Sequence, residues 1–183
     1  MSNIWSQISQ TVATEFSDID DVPQATRLVL RLGLAALLGG LLGWQREVEG
    51  KDAGLRTHML VAMGSALFVL LAQQSGMDTS NVSRVLQGVI AGVGFIGAGA
   101  ILKGEDNSST HVKGLTSAAG IWLTAAIGIA AGIGEETTAL ISAVFCWLIL
   151  SALPWLLRKG TARNPPSNAA TTPTSENSRQ SGP

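Results

Sequence analysis

Six charged residues crowd the stretch Gly43–Thr57, GWQREVEGKDAGLRT: Arg46, Glu47, Glu49, Lys51, Asp52 and Arg56. Carboxylates at the spacing of Glu47, Glu49 and Asp52 are oxygen donors of the kind magnesium takes, usually one or two with several waters retained. Glu105 and Asp106 form a second acidic pair. The three cations within the first set offset its charge, so a solvated loop of ion pairs is the simpler reading and no metal site is assigned. His58 and His111 have no companions at metal-ligand spacing. The single cysteine, Cys146, excludes an intramolecular disulfide and lacks partners for a zinc site. No nucleophile–base pair and no phosphate-cradling loop is present, so the chain is read as non-enzymatic and without a cofactor.

These residues sit on a chain that is 46% hydrophobic and only 14% charged. Soluble domains carry roughly 25% charged residues, and charges are what lipid penalises most. A net charge of −1 gives no nucleic-acid footprint. Five apolar runs, at about 28–44, 55–72, 85–102, 114–133 and 137–157, each approach the roughly 17–25 residues of a membrane-crossing helix. The expected fold is all-α, a polytopic bundle of five transmembrane helices spanning 27–158. The first two runs look short for a span. Residues 1–26 form a lead-in on which Trp5, Ile8, Val12 and Phe16 share one helical face, the pattern of a helix lying on the membrane surface. No positively charged leader precedes the first span, which therefore acts as its own insertion signal. From 159 to 183 the chain turns Pro-, Ser- and Thr-rich and reads as a disordered tail.

Lys and Arg set the orientation. Arg46, Lys51 and Arg56 lie in the first connection, Lys103 and Lys113 in the third, and Arg158, Lys159 and Arg163 in the tail. The other side has only Arg27, Arg31 and Arg84. The N-terminus is therefore expected outside and the C-terminus in the cytoplasm. No Asp or Glu falls inside a run, which disfavours an ion-coupled pump. The 21 glycines concentrate in the runs. Small residues let helices approach closely in lipid, where there is little hydrophobic drive between them. The first, third and fourth spans are accordingly expected to form the packed centre, with the fifth at the lipid-facing periphery. Ala53-Gly54-Leu55-Arg56-Thr57 and Lys113-Gly114-Leu115-Thr116-Ser117 open the second and fourth spans alike, as two parallel hairpin copies would.

Gly43-Trp44-Gln45-Arg46-Glu47 with Ala53-Gly54-Leu55-Arg56-Thr57 resembles the first signature of the MgtC/SapB membrane proteins. Arg84 with Gly92-Val93-Gly94-Phe95-Ile96-Gly97-Ala98-Gly99 resembles the second, and Val112 with Gly114-Leu115-Thr116-Ser117-Ala118-Ala119 the third. Three signatures in order are specific. The resemblance implies a multi-pass protein of the bacterial inner membrane, linked to survival under magnesium limitation and in host phagocytes. It implies action by binding the membrane-embedded part of ATP synthase rather than by carrying magnesium. Gln45 stands where the family often has an acid, and His111 where Asn is expected. The tail replaces a folded cytoplasmic domain, which makes the shorter SapB-like type the expected one.

The resemblance marks Arg46, Glu47, Gly54, Arg56 and Thr57 as the functional loop. Gly54 would serve the turn into the second span. Arg56 would either anchor that span at the headgroups or pair with Glu47. Gly88, Gly92, Gly94, Gly97, Gly99, Gly114, Thr116 and Ala118 are expected to form a face for helix packing or for a partner. Besides the bilayer, that partner is another inner-membrane protein, ATP synthase among them, or a second copy of the chain. The competing reading is a transporter or channel for a small ion or solute through the glycine-rich third span.

Overall fold

The computed structural model describes residues 2–15, 21–102 and 113–161. Among them every regular element is a helix: α1 (Ser2–Glu15), α2 (Val22–Val48), α3 (Leu55–Gln74), α4 (Thr79–Leu102), α5 (Leu115–Ile133) and α6 (Glu136–Thr161). Four of these, α2 to α5, are long and apolar enough to cross a membrane. The apolar stretch described in α6 is shorter, Glu136–Ala152. The third connection, with Lys103, Glu105, Asp106 and His111, lies outside the described residues. So does the expected tail, except that α6 continues past Lys159 to Thr161.

Local chemistry sets the ends. The Asp21 carboxylate accepts the Gln24 amide at 2.7 Å, and Pro23 follows in the first turn, where its missing N–H costs nothing. Helices α2, α3 and α5 all stop at a glycine with positive φ: Gly50, Gly76 and Gly134. In each case the next residue's N–H reaches back to the last turn, as in Lys51 to Arg46, Met77 to Ala72 and Glu135 to Ala130. This is the left-handed stop that glycine makes without a Cβ penalty. The expected shortness of the first span is corrected. Its helix runs 27 residues, about 40 Å at 1.5 Å per residue, because it continues through Arg27, Arg31 and Arg46.

Helix α5 is the hub and touches α2, α3, α4 and α6, whereas α1 touches none of the others. The core joins Ala35, Leu38 and Leu42 of α2 to Ala62 and Ala66 of α3 and Ile127 and Ala131 of α5. Ala139, Ala143, Cys146 and Leu150 of α6 close its back. A smaller cluster, Val93 with Ile121 and Ala125, fixes α4 to α5. The packed centre is therefore the first, second and fourth spans rather than the first, third and fourth. A Cβ at Gly43 would stand 2.7 Å from the Leu55 Cα, and one at Gly132 would stand 2.7 Å from the Ala66 carbonyl oxygen. A Cβ at Gly128 would collide with the Ala62 carbonyl. Helix α3 sets Ala62 against Gly128 and Ala66 against Gly132, so only one helix of that pair needs to lack a Cβ. Most glycines of α4 have nothing within 4 Å of where a Cβ would stand.

Replacing Gly128 with Leu drives a side chain into the α3 backbone, whereas Gly94→Leu enters open space. Overpacking of this kind costs about 1–3 kcal/mol and sometimes more. Thermal unfolding in mild detergent should show a clear loss of stability for Gly128→Leu and a wild-type transition for Gly94→Leu.

Candidate functional site

The last turn of α2, Gln45–Glu49, contacts two other helices and folds back on itself. Arg46 is 3% exposed. Its Nη2 donates to Ser117 Oγ on α5 at 3.1 Å and its Nη1 donates to Glu49 Oε2 at 3.2 Å. A guanidinium out of water needs acceptors for its charge-bearing N–H groups, and these supply two. Nε remains buried without a partner. Gln45 Nε2 donates to the other oxygen of Glu49 at 3.3 Å, so one carboxylate is held by two neighbouring side chains.

Glu47 works in another direction. Its Oε2 accepts the Leu55 amide at 2.8 Å, so a carboxylate from α2 caps the first turn of α3. There it satisfies an orphan donor and faces the positive end of the helix dipole. Gly54 makes room for it, since a Cβ would stand 2.7 Å from that same oxygen. The backbone of Gly54 is extended, φ −101 and ψ −156, so its need for glycine comes from this close approach rather than from an unusual turn. The Gly54 carbonyl accepts both the His58 backbone N–H, at 3.2 Å, and the His58 Nδ1–H, at 3.0 Å. His58 is fully buried. Its Nε2 is left without a partner and faces Gly120 of α5, where a Cβ would stand 3.7 Å away.

Ser117, Gly120 and Thr124 fall at i, i+3 and i+7, one face of α5. Thr124 is fully buried and its hydroxyl also lacks a partner. The site is thus a polar stripe in a small-residue core, with Arg46 at one end and free hydrogen-bonding atoms on His58 and Thr124. Sequence reasoning placed Arg46, Glu47 and Gly54 here. It assigned no role of their own to His58, Ser117 or Thr124. The signal was their helical spacing opposite an arginine, which gains meaning only once α2, α3 and α5 are known to meet. Arg56 is exposed and makes no ion pair among the described residues, and Thr57 is half-buried beside it. Glu47 is engaged with Leu55 rather than with Arg56. Among the described residues no three His, Cys, Asp or Glu are grouped to hold a metal.

The predicted glycine face divides. Gly97 packs on Ala118, 3.5 Å from its own virtual Cβ, and Gly114, at φ +90, sits against Ala100 and Ile101 at the end of α4. Gly88, Gly92, Gly94 and Gly99 have open space where a Cβ would go, and Thr116 is exposed.

The opposite end of the bundle carries a second arginine, Arg31, which the sequence reading used only to set orientation. Arg31 Nη1 donates to Gln73 Oε1 of α3 at 3.2 Å and to the Gly132 carbonyl of α5 at 3.1 Å. Its Nε lies 3.9 Å from Glu136 of α6. One side chain from α2 thereby reaches three helices and the negative end of the α5 dipole.

Residues 32–159 match the model of the MgtC family. Protein SrpB of Synechococcus elongatus is 46% identical over 140 residues, 72% of this chain and 77% of that protein. The putative magnesium transporter YhiD of Escherichia coli is 43% identical over 129 residues, 67% of this chain and 58% of its own length. Protein SapB of Bacillus subtilis is 34% identical over 139 residues, 72% and 59%. The chain thus spans well under two thirds of two of these relatives. No solved structure matches it.

Gly54→Ala should displace the Glu47 carboxylate and uncap α3. The expected loss is about 1 kcal/mol, the usual worth of an N-terminal cap. Glu47→Gln keeps an acceptor oxygen at the same reach and should lose less. Denaturant titration of the purified protein in micelles checks the order. Gln45→Glu should destabilise as well, since it replaces a donor to Glu49 with a second carboxylate.

Proposed function

The chain belongs to the MgtC family, and from that premise we propose that it is a non-enzymatic regulator in the bacterial inner membrane that acts by binding another integral membrane protein. In this reading α6 makes the fifth crossing, the N-terminus lies outside and the connection from α2 to α3 faces the cytoplasm. The observation that carries it is the division of small residues between two jobs. Glycines of α2 and α5, Gly33 aside, are consumed by contact with α3. Of those of α4, Gly97 packs on Ala118 and the other four are spare, and among the described residues α4 touches only α3 and α5. On its outward side Ala91, Gly94 and Ala98 recur at three and four, all exposed, beside Phe95 at 84% exposure. A small-residue stripe of that period is a surface on which another membrane helix packs closely, through dispersion and weak hydrogen bonds.

The core supports regulation over transport. Its charged groups are already engaged, Arg46 by Ser117 and Glu49, and Arg31 by Gln73 and Gly132. Among the described residues every Asp and Glu lies in a loop or in the terminal turns of a helix. Adaptation to magnesium limitation or host stress is the setting we propose, with the membrane sector of ATP synthase the first partner to test. The second reading, transport, is favoured by the name of one relative, putative magnesium transporter.

Crosslinking in native membranes followed by capture in mild detergent, at low and at high magnesium, separates the two readings. A regulator should bring down one specific membrane protein, and Gly94→Leu should abolish that capture without altering stability. Self-association alone counts against it. Magnesium flux into liposomes carrying the purified protein would replace it with the transport reading.

A further inference from the structure

The side of α4 that turns toward α3 carries a different feature. Between the two helices lies a groove of about 620 Å³, bounded by Leu60, Ser65 and Phe68 of α3 and by Gly88, Gly92 and Ile96 of α4. Ser65 contributes the only polar side chain of its lining and is itself 3% exposed, so the walls are apolar. Gly88 and Gly92 keep the groove open, since nothing stands within 4 Å of a Cβ at either position. A space of this size between two membrane helices is not left empty, because its walls would forfeit their dispersion contacts.

We propose that this groove holds one acyl chain of a phospholipid whose phosphate is bound by Arg84. This goes beyond the docking of a partner on the outward face and uses a different side of α4. Three observations select this occupant. The first is length: along α4 the lining runs from Val85 to Ile96, about 17 Å at 1.5 Å per residue, close to the roughly 15 Å of one leaflet's hydrocarbon. A partner helix would need a seat through both leaflets. Here the lining stops at Ile96 on α4 and Leu60 on α3.

The second observation is charge. Arg84 lies one turn before Gly88 on the same helix, is exposed, and has no ion pair among the described residues. A guanidinium is the side chain best matched to a phosphate, with a planar fork of donors for two of its oxygens. The third is what occupies the neighbouring anion site. Asp78 Oδ1 accepts the Asn81 amide at 2.9 Å, so a carboxylate already caps the first turn of α4. A phosphate is therefore left to Arg84 rather than to the helix N-terminus.

Native mass spectrometry of the full chain, released from nanodiscs containing phosphatidylglycerol, tests the assignment. Wild type should retain one phospholipid per chain through detergent exchange. Arg84→Ala changes an exposed side chain and leaves the fold intact, so it should lower retention about tenfold, the effect of losing a charge-assisted hydrogen bond. Gly92→Leu should fill the groove and abolish retention, with helicity by circular dichroism as its folding control, while Gly94→Leu should retain the lipid. Diacylglycerol offered in place of phosphatidylglycerol should be held about tenfold less. Equal retention by wild type and Arg84→Ala would overturn the proposal. So would a Val85→Cys variant that crosslinks to a second copy of the chain while no lipid is retained. Loss of partner capture in Gly94→Leu with the lipid kept would tell the two sites apart.

Discussion

A positive charge is buried in a core of alanines and glycines, and much of the bundle follows from keeping it satisfied. Arg46 can be 3% exposed only because Ser117 and Glu49 lie within hydrogen-bond reach. Removing either acceptor would leave part of a guanidinium unsolvated and unpaired, which is far costlier than losing a surface contact. The last turn of α2 is therefore tied to the first turn of α5. Adjacent on the same turn, Glu47 caps α3. Three helices are registered by two consecutive residues, and at the far end Arg31 repeats the device with α3, α5 and α6.

Pinning α2 at both ends makes the bare backbone contacts in between workable. Gly39 and Gly43 of α2, and Gly128 and Gly132 of α5, meet α3 so closely that any Cβ would strike it. Such contacts gain dispersion energy only if the helices do not slide, and a slip of one turn along α5 would bring Thr124 or Glu136 to a place that a glycine now holds. The arginines hold the register, the glycines exploit it, and α4 is left on the outside with small residues free for other contacts. The lipid groove and the partner face both follow from that surplus.

Much of this arrangement is legible in the sequence. The apolar runs locate the helices because lipid demands length and the absence of charge, and the observed helices α3 and α5 end close to the expected limits. The family is legible from three signatures in order. What the runs do not encode is which face of a helix points inward. Glycine content places α4 in the packed centre, yet the glycines that touch the α3 backbone are those of α2 and α5, opposite Leu55, His58, Ala62 and Ala66, residues that do not stand out in the sequence. The loop shows the same limit. Arg46 among acids looks like a solvated ion pair until Ser117, far away in sequence, is brought beside it. Gly54 looks like a turn residue until Glu47 is seen to occupy the space a Cβ would need.

The contact between Arg46 and Ser117 is the centre of this account, and a double-mutant cycle measures it. Arg46→Met, Ser117→Ala and the double variant would be unfolded beside wild type in one detergent. A coupling of about 1–2 kcal/mol, the range of a strong interhelical hydrogen bond in a membrane protein, is the predicted result. Effects that simply add, with no coupling, would mean that Arg46 faces solvent and that α2 is held to α5 by packing alone.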